Sequence, residues 1–129
     1  MSTSSNTLFL QRALLADAAI SGATGLMLLL GAGILSQWLG VPAPLLRYTG
    51  AILVPFAVAV LYISAPPRLT RGAVQTVMAS NIVWVVASAL VLVSGAIAPT
   101  ALGAVFVISQ AVVVAGFAEL QFTGLRRAA

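Results

Sequence analysis

Long apolar runs separated by short breaks organise this chain. Apolar residues dominate 8–35, 44–64, 71–94 and 99–123. Each run reaches the ~20 residues that a helix needs to cross a bilayer. The breaks read SQWLGVPA, APPRLT and GAIA. No run shows the strict apolar–polar alternation of barrel strands. The pattern predicts an all-α fold of four membrane-spanning helices in one domain covering 1–129. Connections this short make sequential helices antiparallel neighbours, so the expected architecture is an up-down-up-down four-helix bundle.

Local signals place the ends. As a single helix, 8–35 is about 42 Å long, more than the ~30 Å hydrocarbon core, so its first turns through Arg12 are expected in the interface. Asn6 or Thr7 is a candidate cap. Pro44 suits the first turn of the second helix, and SAPPR ends it. Thr70 can cap the third helix and Gly95 can stop it. GLRR closes the fourth. Gly40-x-x-Ala43-Pro44 and Gly95-x-x-Ala98-Pro99 share a pattern, read here as one solution to a tight turn rather than a duplicated hairpin.

Composition identifies the solvent. The chain is 61% hydrophobic and 6% charged, with a mean hydropathy of +1.14. A soluble domain carries about 25% charged residues. Too little polar surface exists here to face water, and the expected surroundings are a lipid bilayer. The net charge is +4, and all 6 basic residues are arginine. Arg12, Arg68, Arg71, Arg126 and Arg127 all flank one side of an even-numbered bundle. By the positive-inside rule, both termini and the middle turn are expected in the cytoplasm of a bacterial inner membrane. The first basic residue, Arg12, precedes a run too long for a signal peptide, so a retained helix is expected. Dispersed arginines flanking apolar segments argue against nucleic acid as a partner.

Candidate chemistry is sparse. There is no cysteine and no histidine. Disulfides, thiolate metal sites, the usual haem ligand and the commonest general base are therefore excluded. No phosphate loop or nucleophile elbow appears. No metal, cofactor or enzymatic activity is expected. Small multidrug-resistance exporters carry a membrane-embedded glutamate in their first helix, where this chain has only Asp17. The third run, NIVWVVASALVLVSG, lacks the glycine- and threonine-rich break of dimeric fluoride channels.

Polar residues inside membrane spans are functional candidates by default. Five stand out: Asp17, Arg47, Asn81, Gln110 and Glu119. Arg47 reads as an interfacial anchor beside Tyr48 and Trp38. With Ala51 and Pro55 on its face, it is alternatively the lining of an outward polar pocket. Asp17 opens a stripe of Ser21, Thr24, Leu28 and Gly31 suited to helix contact. Glu119 leans into the membrane and is expected to pair with Arg12, Arg71, Arg126 or Asn81, with proton titration or cation binding as the alternative. Asn81 shares a face with Ser88, and Gln110 with Gln121, which permits an Asn81–Gln110 bond. Trp84 is too deep for an aromatic belt and is expected to face protein.

Two functions follow. One is a non-enzymatic bundle acting as an interaction partner or accessory subunit, self-associating or joining a larger membrane complex. The other is a small oligomeric transporter or channel using Glu119, Asp17 and Asn81.

Overall fold

A computed structural model describes residues 5–128, with side chains for 7–127. The described residues form four helices and no strand: α1 Ser5–Leu39, α2 Ala43–Ile63, α3 Arg71–Ser94 and α4 Ala101–Ala128. All four are long and apolar enough to cross a membrane. The third agrees with its expected bounds to the residue. The first is longer at both ends, and Asn6 and Thr7 already lie inside it, so neither caps it. The fourth begins two residues after Pro99 and continues through Arg127.

The stops follow from backbone chemistry. Thr70 caps α3 by accepting from Ala73 N at 3.2 Å, and Gly95 ends it at φ 77°. Gly40 ends α1 at φ 67°. Both glycines of the shared turn pattern thus take the left-handed conformation that costs other residues a Cβ clash. The pattern is a turn solution and goes no further: α2 starts at Ala43, whereas the second turn extends to Thr100. Thr100 there docks α4 on the end of α1. Its N–H donates to Leu39 O at 3.0 Å and its hydroxyl to Trp38 O at 2.7 Å. These are carbonyls that a helix end leaves without a partner.

Close backbone approach and hydrogen bonds between side chains join these apolar helices. The α1–α2 crossing shows the first. A Cβ on Gly50 would lie 2.6 Å from Gly25 O and 2.8 Å from Leu29 N, and one on Gly25 would lie 2.9 Å from Leu53 Cβ. Gly25, four residues after Ser21 in a small-xxx-small spacing, is thus part of this contact. α1 also packs on α4, and α3 packs on α4. α2 and α3 have no comparable contact.

Two apolar clusters mark the ends of the molecule. One joins Leu10 and Leu14 of α1 to Val60 of α2, Val74 and Val77 of α3, and Leu125 of α4. The other joins Leu28, Ala32 and Leu39 to Val41 and Leu46, with Ile97 and Phe106 against them. The first lies where α1 and α3 begin and α2 and α4 end; it is called the terminal end below, and the second the distal end. Arg12, Arg68, Arg71, Arg126 and Arg127 all sit, exposed, near the terminal cluster. α1 is interrupted on its way to the distal end at Gly31 (φ −105°, ψ 16°).

Candidate functional site

The face of α1 that opens with Asp17 turns inward. Asp17 is fully buried, four residues before Ser21, which is also buried. Ser21 Oγ donates to Asp17 Oδ1 at 3.0 Å. α3 brings Asn81, whose Nδ2 donates to Asp17 Oδ2 at 2.8 Å. α4 brings Gln121, whose Nε2 donates to the same oxygen at 2.7 Å. Asn81 Nδ2 also donates to Gln121 Oε1 at 3.2 Å, closing a ring of three side chains from three helices. Among the described residues no cation pairs with Asp17. Its charge or proton is met by hydrogen bonds alone.

The chemistry of this ring is specific. Two amide N–H groups converge on Oδ2, which only an acceptor satisfies. Oδ1 meets a hydroxyl, which is both donor and acceptor.

A second polar group lies farther along α3 and α4. Trp84 Nε1 donates to Gln110 Oε1 at 2.7 Å. Gln110 Nε2 donates to Ser88 Oγ at 3.0 Å and to Val107 O at 3.0 Å. Ser88 Oγ donates to Trp84 O at 2.8 Å. Trp84 thus faces protein, as its depth implies. Beside this group a cavity of about 220 Å³ lies among α1, α2, α3 and α4. Thr24, Trp84, Ser88 and Gln110 line it, as do Val41 and Ile97 of the two distal turns.

The sequence candidates therefore separate. Asp17 and Asn81 come together. Gln110 joins neither, so the Asn81–Gln110 bond does not form: Asn81 lies nearer the terminal end and takes Gln121 instead. Glu119 is exposed and joins no ion pair or hydrogen bond among the described residues, so the expected arginine partner is absent. The reason is helical phase. Residues two apart point roughly 200° from each other around a helix. Gln121 faces inward, and Glu119 faces out. Arg47, Ala51 and Pro55 are all exposed, so that face lines no polar pocket. Tyr48 and Trp38 are exposed as well. Gln121 and Ser21 were not among the candidates. Their signals were present: Gln121 shares a face with Gln110, and Ser21 is one turn from Asp17.

Fold and site define a class, a small all-α bundle of four helices, each able by length and apolarity to span a membrane. No family model, no curated protein and no solved structure matches the chain.

Proposed function

We propose that this chain is a four-pass, up-down-up-down inner-membrane protein with both termini in the cytoplasm, acting without catalysis as an interaction partner or accessory subunit. One observation carries the reading. The intramembrane polar side chains Asp17, Asn81 and Gln121 bond to one another inside the bundle, tying three helices, and Glu119 stands apart from them. They form a clasp, not a row of sites along a path. What the protein offers to a partner is then its outer surface. α3 offers one such face, the exposed row Ile82, Val83, Val86, Leu90 and Val93.

The test is purification from native membranes in a mild detergent. A second protein in fixed ratio is expected, lost when Val83 and Val86 are changed to bulky residues that leave thermal stability intact. If the protein purifies alone and those changes have no effect, the partner role is wrong. Sidedness is tested separately. The chain has no cysteine, so single cysteines at Gln37 and Arg68 report without background. Gln37 should label from outside the cell, and Arg68 only after permeabilisation.

The transporter reading keeps one supporting observation, a fully buried carboxylate without a cation partner. It requires Asp17 to exchange a proton or cation, and Asp17→Asn to abolish activity in a folded protein.

A further inference from the structure

We propose that the distal cavity is a binding site for an uncharged, lipid-soluble alcohol or carbonyl compound that enters sideways from the bilayer. The proposal rests on the membrane placement above and not on the partner role. Access comes first. α1–α2, α1–α4 and α3–α4 are the closely packed pairs. α2 and α3 share the terminal cluster through Val60, Val74 and Val77, but have no packed contact of that kind toward the distal end. The cavity is lined from both of these helices, by Leu45, Thr49 and Leu53 of α2 and by Trp84, Ala87 and Val91 of α3. Val41 and Ile97, from the two distal turns, also line it and are apolar. The open side is therefore the α2–α3 seam, which in a membrane faces hydrocarbon.

Chemistry narrows the occupant. No charged side chain lines the cavity, so an ionic headgroup would be desolvated there without compensation. Most of the wall is aliphatic or aromatic. The polar lining is not all available. Thr49 Oγ1 is committed to Leu45 O at 2.8 Å, and Ser88 and Gln110 bond to each other. Thr24 differs: it is half-buried, and among the described residues its hydroxyl has no hydrogen-bond partner. A lone hydroxyl in an apolar, hydrocarbon-accessible recess matches a ligand with one hydroxyl or carbonyl group and an apolar body. Size agrees. A dry cavity of about 150 Å³ holds benzene, so about 220 Å³ takes roughly eight to ten heavy atoms.

The two tryptophans make the test direct. Trp84 lies in the cavity wall, and Trp38 is exposed outside it. In Trp38→Phe, reconstituted in phosphatidylcholine vesicles, Trp84 is the sole emitter. A terminally brominated octanol is expected to quench it saturably, at about fivefold lower concentration than bromooctane, as one membrane hydrogen bond implies. Thr24→Val, nearly the same shape, should bring the two probes together. Ala87→Phe, filling the cavity, should remove the saturable part for both. Linear quenching, saturation that survives Ala87→Phe, or equal probes before Thr24 is changed would each overturn the site. A parallel arm separates the underlying assumption. Trp38, alone in Trp84→Phe, should be quenched by phospholipids with brominated acyl chains. No quenching there overturns the membrane placement; quenching there without saturable quenching of Trp84 overturns the cavity site alone.

Discussion

The two polar groups of this bundle use similar side chains to different ends. At Asp17, three helices each supply a side chain, and every member is buried. At Gln110, only α3 and α4 take part, and the members are half-buried beside a cavity. The first group lies close to the terminal cluster, where all four helices meet. The second lies where α2 has separated from α3. A polar side chain in lipid must find a partner, and the number of helices from which it draws partners sets how many helices it holds. Three-helix pairing closes the terminal end. Two-helix pairing leaves the distal end open along one seam.

Breaking the first group should have the largest effect. Asp17→Leu removes three hydrogen bonds and leaves the Asn81 and Gln121 amides without their acceptor. The expected loss is about 3 kcal/mol, read as thermal or denaturant unfolding in detergent. Asp17→Asn sharpens the point. An asparagine carbonyl can accept from both amides while its own N–H₂ donates to Ser21, so a loss under about 1 kcal/mol is expected. A loss as large as that of leucine would mean that the carboxylate is needed for more than its acceptor oxygens.

The second group should matter less. Gln110→Leu takes a partner from Trp84 and from Ser88, but the hydroxyl keeps its bond to Trp84 O. About 1 kcal/mol is expected. The change should also make the cavity more apolar without joining α2 to α3. If Gln110→Leu proved as damaging as Asp17→Leu, the number of helices joined would not be what ranks the two groups.

Helix existence was legible because a span in lipid is announced by length and apolarity, which need no knowledge of neighbours. The cap at Thr70 and the stop at Gly95 were legible because their chemistry is local; the end of α1 at Leu39 lies four residues past its expected bound, Gly40 having been read only as part of a turn pattern. The meeting of Asp17 with Asn81 and Gln121 was not, because it depends on the order in which helices pack. Short turns suggest that sequential helices are neighbours, yet α2 and α3 are not among the closely packed pairs, and α1 packs on α4. Facing was half legible. The inward stripe of α1 was read from its polar residues. α4 has a carboxylate and an amide two positions apart, on nearly opposite faces, and the carboxylate drew the attention. Hydropathy gives no help there, since the exposed face of α4 is as apolar as the inner one and carries no amphipathic stripe of the kind that orients a helix in a soluble protein.

The smallest effects should come from the two charges that face outward. Glu119 and Arg47 are both exposed, and among the described residues neither holds a side-chain partner. Glu119→Gln therefore removes no interaction within the bundle. Its expected change in stability is within about 0.5 kcal/mol, the usual range for such surface positions. Arg47→Lys should be equally quiet, because a lysine also reaches the headgroups along an apolar stem. Combining Glu119→Gln with Arg12, Arg71 or Arg126 changes gives the decisive measurement. Independent sites add, whereas an ion pair shows coupling of about 0.5 kcal/mol or more. Additivity throughout is the expected result. Coupling to Arg12 or Arg71 would place Glu119 in contact with a neighbouring helix, or with a second copy of the chain, and α4 would then have two working faces instead of one; coupling to Arg126 alone would be a pair within α4.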